Sequence, residues 1–195
     1  MKKILLSATA LLAFGFASQA QDIKFGAKAG LNIADFGGDA ETSGSRTGFH
    51  VGVVAEFKLT EQFSIQPEIV YSMQGAKFET LDGFASIVEQ DMKLDYLNVP
   101  IMAKYYLFEG FSIQAGPQVG FLMSAKVDDD DAKDSFKSID FALNGGVGYE
   151  LPSGVFFQAR YSAGLADIND VEGFEGADAP KINNNVISFS VGYKF

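Results

Sequence analysis

The last nine residues, I-S-F-S-V-G-Y-K-F at positions 187–195, alternate strictly between large apolar side chains and small or polar ones. The odd positions from 187 onward hold Ile187, Phe189, Val191, Tyr193 and Phe195. The even positions between them hold Ser, Ser, Gly and Lys. Because successive side chains of a β-strand point to opposite faces, this period of two predicts a strand with one apolar and one polar face.

The same alternation occurs eight times along the chain. It predicts strands at residues 24–34, 48–59, 63–75, 92–107, 111–125, 138–151, 155–166 and 185–195. The central parts of these segments are 25–33, 49–59, 63–75, 97–107, 111–123, 139–151, 155–165 and 187–195. They contain 49 odd-numbered positions, none of which is charged or is Ser, Thr, Asn or Gln. The even positions between them carry nine charged residues. We therefore expect the eight strands to share one apolar face and one polar face.

The connections between the predicted strands alternate in length. Short turns lie at 60–62, 108–110 and 152–154, and long polar loops lie at about 35–47, 76–91, 126–137 and 167–184. If neighbouring strands run antiparallel, all short turns lie at one end of the sheet and all long loops at the other. No linker or shift in composition divides the chain, so we expect a single domain.

Two arrangements satisfy a sheet with one apolar face: a soluble barrel with that face inside, and an outer-membrane barrel with that face toward lipid. Glycine is concentrated on the polar face, which suits the narrow interior of an eight-stranded barrel, where long charged side chains need small neighbours. Aromatic residues on the apolar face lie beside the short turns, as in a membrane-interface girdle; they are Phe57, Phe63, Tyr105, Phe111, Tyr149, Phe157 and Phe195. The sequence predicts an all-β fold, an eight-stranded antiparallel up-and-down transmembrane β-barrel. Its first and last strands would pair, with the termini and short turns periplasmic and the long loops outside.

The N-terminal residues have the features of a secretory signal peptide. Lys2 and Lys3 precede an apolar stretch at 4–17, and S-Q-A follows at 18–20. The apolar stretch is too short to span a bilayer as a helix. We predict a cleaved signal peptide at 1–20 and a β-barrel domain at 21–195, with the cell outer membrane as destination. The alternative is an uncleaved N-terminal anchor.

Composition excludes several classes of function. The formal charge is -10, from 15 Lys and Arg against 25 Asp and Glu, which opposes nucleic acid as a partner. There is no cysteine, so disulfides, thiol catalysis, cysteine-based zinc sites and lipoprotein anchoring are excluded. His50 is the single histidine, and no catalytic or cofactor-binding motif accompanies it. We predict that the protein is not an enzyme and has no cofactor.

Several motifs make the chain resemble a known family. They are FGAKAGLN at 25–32, YLNVPI at 96–101 followed by KYY at 104–106, GP at 116–117, and VGYKF at 191–195. The chain resembles the Bacteroidetes-type outer-membrane β-barrel domain family, also described as porin-family or PorT-like. The resemblance implies a fold and a location. It identifies no substrate, and its motifs do not establish a role in secretion. The end of the chain also resembles the C-terminal signal read by the barrel assembly machinery, through Phe189, Val191, Tyr193 and Phe195.

Charged residues on the polar face are the first candidate site, a predicted lumen network of Lys28, Glu56, Glu68, Lys104, Asp140, Glu150 and Arg160, with Lys58 and Lys194 on the same face. Unpaired buried charges are costly, so we expect acids and bases to pair across the lumen. The network would act either as a gate for ions or as a polar plug that fixes strand register. We favour the plug, because eight strands leave little room for water.

The long loops are strongly acidic and form the second candidate site. Seventeen of the 25 acidic residues lie in 35–46, 77–91, 126–137 and 167–183, and the densest run is Asp128, Asp129, Asp130 and Asp131. Carboxylates suit hard cations such as Ca²⁺, which makes this run a weak metal candidate. Its spacing is not that of an EF-hand, so a solvated loop is the favoured interpretation and we predict no metal.

These observations favour a non-enzymatic outer-membrane barrel with a structural or envelope role, or with a binding surface on its outer loops. The alternative is a small diffusion pore. The expected partners are outer-membrane lipid and, during biogenesis, the barrel assembly machinery. The sequence identifies no extracellular ligand.

Overall fold

A ring of antiparallel strands forms the body of the protein in a computed structural model, which describes residues 23–40, 42–81, 87–128, 130–171 and 180–195. The eight strands of the ring are β1 (Ile23–Gly38), β2 (Gly44–Lys58), β3 (Phe63–Leu81), β4 (Ile87–Phe108), β5 (Phe111–Val127), β7 (Ile139–Glu150), β8 (Val155–Gly164) and β9 (Ile182–Lys194). A two-residue strand, β6 (Asp130–Asp131), pairs antiparallel with the end of β5, and a short 3₁₀ helix (Lys133–Ser135) follows it. The predicted signal peptide lies outside the described residues.

The ring closes through its first and last strands. Strand β1 pairs with β9 from Gly26 opposite Lys194 to Gly38 opposite Ile182, and β4 pairs with β5 on the far side. Closure leaves no unpaired edge among these strands, as a bilayer requires. The predicted eight-stranded antiparallel barrel is confirmed. In the described part of the chain, no helix has the length and apolar character needed to cross a membrane.

The apolar face of the sheet points outward. Phe49, Ile101 and Phe141 on this face are each about half exposed, at 51%, 50% and 51%. On the opposite face Glu68 and Arg160 are 2% and 7% exposed. A soluble barrel would have the reverse arrangement, so the predicted orientation toward lipid is confirmed.

The strands at the extracellular end are longer than the alternation predicts. The segments predicted as loops at 35–47 and 76–91 are largely strand, because β1, β2, β3 and β4 continue beyond the apolar belt. The loop predicted at 126–137 contains β6 and the 3₁₀ helix. The alternation fails here because the strands have left the lipid, so their outward side chains need not be apolar, while backbone pairing continues.

An apolar cluster fills the extracellular end of the ring, and we call it the apolar cap. Its buried members are Phe36, Ala76, Leu94, Tyr96, Leu122, Ala125, Phe136 and Ile168. Phe136 and Ile168 come from the two loops that follow β6 and β8, so these loops pack into the mouth of the barrel. The two loops are joined by backbone hydrogen bonds, including 2.8 Å from the Lys137 N–H to the Ile168 carbonyl.

Candidate functional site

The lumen below the cap contains the charged residues of the predicted network in two layers. The lower layer is centred on Glu56. Its Oε2 is 3.1 Å from the Lys104 ammonium and also receives Lys194, while its Oε1 accepts hydrogen bonds of 2.6 Å from the Tyr106 and Ser64 hydroxyls. Each carboxylate oxygen therefore has partners, which a buried charge needs.

The lower layer continues to the periplasmic mouth through Glu150. The Lys194 ammonium is 2.6 Å from one Glu150 oxygen, and the more exposed Lys24 is 3.1 Å from the other. Lys58, which was expected inside the lumen, lines its periplasmic mouth and is not buried with the other bases. It is an exposed residue whose ammonium lies 5.7 Å from the Tyr106 ring centre, because β2 ends there at the periplasmic rim.

The middle layer is centred on Glu68. Its carboxylate is 2.6 Å from the Lys28 ammonium, accepts two hydrogen bonds of 3.0 and 2.9 Å from Arg160, and accepts a third of 2.7 Å from Gln66. The two bases come from β1 and β8 and the acid from β3, so the interactions cross the lumen rather than follow one wall. This layer blocks the middle of the barrel.

His50 lies in a third, uncharged layer above Glu68. Its Nδ1 is 2.8 Å from Asn32 Oδ1 and its Nε2 is 2.8 Å from Ser190 Oγ. Gly30 of β1 is paired with His50 on one side and with Ser190 on the other. Because Gly30 has no side chain, the imidazole crosses it to reach the serine. All three polar side chains are buried.

Asp140 does not join the charged layers, contrary to the expectation that all lumen acids pair with bases. It is 5% exposed, none of the ion pairs among the described residues includes it, and its Oδ1 has no hydrogen-bond partner there. Its position explains the difference. Asp140 lies near the extracellular end of β7, whereas the buried bases lie lower in the lumen.

The free space in the lumen is distributed unevenly along the barrel axis. A funnel of about 620 Å³ opens at the periplasmic mouth and ends at Glu56, Glu150 and Lys194. Above it are cavities of only about 10 Å³ beside Lys104 and about 30 Å³ beside His50. One water needs roughly 10–15 Å³, so the smaller cavity has room for about one water and the larger for about two. Both cavities are far smaller than the funnel.

The neutral partners of Glu56 and His50 are not evident from the sequence. Tyr106 and Ser64 bind Glu56, while Asn32 and Ser190 bind His50. All four lie at even positions on the inward-facing parity. That parity identifies them as lumen residues, but the choice of partner depends on which strands face each other across the ring.

The aspartates of the acidic run at 128–131 do not converge on one point but contact different backbone groups. Asp128 accepts a 3.1 Å hydrogen bond from the Asp91 N–H, and Asp131 accepts one of 3.0 Å from the Lys133 N–H. Asp130 is exposed in β6, and Asp129 lies outside the described residues. Across the described ranges, no group of three or more His, Cys, Asp or Glu is placed to hold a metal ion.

Asp167 stabilises the extracellular loop that carries Ile168. Its Oδ1 accepts hydrogen bonds from the Ile182 and Asn169 N–H groups at 3.0 and 3.1 Å, and its Oδ2 is 3.2 Å from the Lys137 ammonium. Partial desolvation raises the pKa of this carboxyl, but the two N–H groups and Lys137 outweigh it and hold the pKa below its usual range.

The residues of the predicted assembly signal lie on the outer wall. Phe189, Val191 and Tyr193 are about half exposed on the lipid-facing side of β9, and Phe195 is 77% exposed at its end. The Phe195 N–H donates a 2.9 Å hydrogen bond to the Phe25 carbonyl, so the last residue helps to join β9 to β1.

Comparison with known proteins identifies the family. Residues 18–170 match the family described as outer membrane protein beta-barrel domain. The chain belongs to this family. It is therefore an integral β-barrel of the outer membrane. A search of curated proteins finds no match.

Solved outer-membrane barrels have the same fold. Neisserial surface protein A is 18% identical, with 88% of this chain and 97% of that chain covered and a TM-score of 0.58. Ail, the attachment invasion locus protein of Yersinia pestis, solved in complex with the heparin analogue sucrose octasulfate, is 13% identical over 89% of this chain and 99% of its own, with a TM-score of 0.52. OprG from Pseudomonas aeruginosa is 15% identical over 90% and 97%, with a TM-score of 0.50.

Proposed function

We propose that this outer-membrane barrel is a closed, non-catalytic envelope protein that presents its extracellular loops as a binding surface. The observation that carries the proposal is the occupied lumen. The layers around Glu56 and Glu68 cross the barrel, and the cavities beside His50 and Lys104 above the funnel measure about 30 Å³ and 10 Å³. In this proposal the lumen charges form a structural plug.

Conductance across a planar lipid bilayer tests the closed lumen. The wild-type protein is expected to give no steady ion-selective openings. The alternative is a small diffusion pore, for which the funnel of about 620 Å³ would be the periplasmic entrance. Stable unitary openings in the purified wild-type protein would support the pore and contradict the plug.

The absence of catalysis is part of the proposal. His50 lies between Ser190 and Asn32 and forms a hydrogen bond with each. This arrangement resembles that of a nucleophile, a general base and a group that orients the base. However, the adjacent cavity of about 30 Å³ admits water and no larger substrate. A serine-directed fluorophosphonate probe is therefore expected not to label the folded protein. Labelling that disappears in Ser190→Ala would contradict this part of the proposal.

The acidity of the outer loops bears on the kind of partner. The four loop regions hold seventeen acidic and six basic residues, so their field repels polyanions. We propose that the extracellular partner is not a sulfated polysaccharide, in contrast to the complex solved for Ail. Sucrose octasulfate is expected not to bind at physiological salt, and saturable binding in titration calorimetry would oppose this. Pull-down from native envelopes would then search for the partner.

We propose that the chain is exported through a signal peptide at 1–20 and inserted by the barrel assembly machinery. The charged, apolar and small-residue segments at 2–20 and the terminal aromatic Phe195 support this route. N-terminal sequencing of the envelope protein should begin at Gln21. Deleting Phe195 should lower assembly in cells more than spontaneous refolding into micelles in vitro. Equal losses in both would indicate a role in stability alone.

We further propose that the chain belongs to the Bacteroidetes-type, PorT-like branch of the family. The motifs at 25–32, 96–101 and 191–195 support this assignment. An alignment with barrels from that branch should place the three motifs in the first, fourth and last strands of the ring. Equal similarity to barrels from other bacterial groups would contradict it.

A further inference from the structure

Four rows across the inner wall place a glycine between two polar side chains from the neighbouring strands. In the row Ser112–Gly148–Gln158 the Gln114 side chain occupies the space above the glycine. Cross-strand pairing defines the other three rows as His50–Gly30–Ser190, Gln114–Gly146–Arg160 and Asn98–Gly120–Asp140. In these three rows the glycine in the middle leaves a pit in the wall, because it has no side chain to occupy the space above it.

In the first two of these three rows the flanking side chains meet across the glycine. His50 Nε2 lies 2.8 Å from Ser190 Oγ above Gly30. The Arg160 guanidinium donates a 3.3 Å hydrogen bond to Gln114 Oε1 above Gly146. In both cases one partner can donate and the other can accept, so the pit is closed by a hydrogen bond.

The third row lacks such a bond. Asn98 Oδ1 lies 2.7 Å from the position that a Cβ on Gly120 would take, and Asp140 Cβ lies 3.6 Å from it. The amide oxygen of Asn98 thus faces the pit, and the side chain of Asp140 borders the same pit through its Cβ. Asp140 Oδ1 accepts no hydrogen bond from any described residue. The Asp140 carboxyl does receive hydrogen bonds from the Phe141 N–H and the Asn184 side chain, but none of the ion pairs among the described residues supplies a counter-charge, and a buried carboxylate without one is costly.

Two further oxygens without hydrogen-bond partners among the described residues belong to Tyr96, which borders the pit, and to Asn184, which contacts Asp140. The Tyr96 ring is 3.2 Å from the same Cβ position, and its hydroxyl has no partner. The Asn184 side chain interacts with the Asp140 carboxyl, and its own Oδ1 also has no partner. Tyr96, Asn184 and Asp140 are 0%, 2% and 5% exposed, so bulk water does not satisfy them.

We infer that the pit above Gly120 binds a monovalent hard cation such as Na⁺, with Asp140 and Asn98 as its principal ligands. The available donors are carboxylate, amide and hydroxyl oxygens, which hard cations prefer, and no sulfur or imidazole is among them. One carboxylate supplies one negative charge, which matches a monovalent ion. The neighbouring cavity of about 30 Å³, lined by Asn98 and Gln74, has room for one or two waters that complete the coordination.

The full mature protein, unfolded in urea and refolded into detergent micelles, tests the site. The measurement is the urea midpoint of unfolding as NaCl replaces choline chloride at constant ionic strength and constant pH. A ligand that binds only the folded state stabilises it with a saturable dependence on concentration. The wild-type midpoint is expected to rise with Na⁺ and then to saturate, and ²³Na line broadening should show the same saturation.

Three variants make the test specific. Asp140→Asn removes the charge, and Gly120→Ala fills the pit while it keeps the carboxylate; both should lose the Na⁺-dependent shift. Asp170→Asn changes an exposed acid outside the lumen and should keep that shift. If Asp140→Asn fails to fold, the comparison of Gly120→Ala with wild type still decides the result.

Three outcomes would overturn the inference. Equal wild-type midpoints in NaCl and choline chloride would show that Asp140 is neutralised by a proton or by water-mediated contacts. A shift that Asp140→Asn or Gly120→Ala retains would place the ion elsewhere. Stabilisation by CaCl₂ with none by NaCl would contradict the monovalent assignment.

Discussion

A single carboxylate, Glu68, accepts hydrogen bonds from Lys28, Arg160 and Gln66 in the middle of the barrel. Its replacement leaves two buried cations without a counter-charge. Glu56 has the same role in the lower layer, with Lys104 and Lys194. At the scale of the residue, the interior is therefore organised around two acids that each hold two bases.

We predict that Glu68→Gln destabilises the barrel by about 3–5 kcal/mol, the usual cost of breaking a buried ion pair from one side. Urea unfolding of the refolded protein in micelles measures the change. Glu61→Gln, the same substitution in the exposed turn after β2, is the matched control and should change stability by less than about 0.5 kcal/mol. Equal effects of the two substitutions would contradict the role assigned to Glu68.

Asp167 leads to a prediction about the extracellular loops and pH. Its folded pKa lies below the usual value of 3.8, so its contribution is present above that value and is lost as pH falls through the folded pKa. Asp167→Ala should therefore increase amide hydrogen exchange in residues 165–171 at neutral pH, and the wild-type loop should show the same increase only in strong acid. Asp170→Ala is the control. Unchanged exchange in Asp167→Ala would show that the cap holds the loop without this carboxylate.

At the scale of the element, each strand of the ring has one side toward the lipid and one side toward the lumen. Strand β2 shows this in adjacent residues, because Val53 is 55% exposed on the lipid-facing side while Val54 is 3% exposed inside. Position along the strand matters as well, since the cost of a charge on the lipid face depends on its depth.

We predict that Val53→Arg hinders insertion by about 2–4 kcal/mol, the cost of a basic residue near the bilayer midplane. Leu59→Arg, on the same parity in the turn that ends this strand, should cost only about 0–1 kcal/mol because the interface solvates it. Folding yield and urea stability in lipid vesicles measure both variants. Similar losses at the two positions would contradict the assigned depths.

At the scale of the whole molecule, the barrel has a different lining at each level. The periplasmic mouth is a charged funnel, the middle is crossed by the Glu68 layer, and the extracellular end is filled by the apolar cap. The cap continues the barrel beyond the membrane, where the interior no longer needs to be polar. Loop residues Phe136 and Ile168 complete it.

A closed ring with this interior should resist detergent as a unit. We predict that the folded protein stays intact in SDS at room temperature and migrates differently on a gel after boiling, because all strands must separate together. Circular dichroism on the same samples should show that β-structure is lost only after boiling. Identical migration before and after boiling would argue against a closed barrel.

The sequence by itself determined the strand count, the side of each strand that meets lipid and the residues that share the lumen. A period of two is a local property of the chain. Within 63–75 or 187–195, the alternation alone shows which face of the sheet each side chain points to, without knowledge of any other strand. The inward parity also included Tyr106, Asn32 and Ser190, although it did not show their partners.

Only the tertiary structure decided which lumen residues meet. Glu68 binds Lys28 and Arg160 because closure brings β3 opposite β1 and β8, and the same closure leaves Asp140 away from every base that it was expected to pair with. The length of the strands beyond the lipid and the apolar cap were decided in the same way. Strand pairing and burial at the extracellular end depend on contacts between segments that are distant in the sequence. The local alternation of residues does not indicate these contacts.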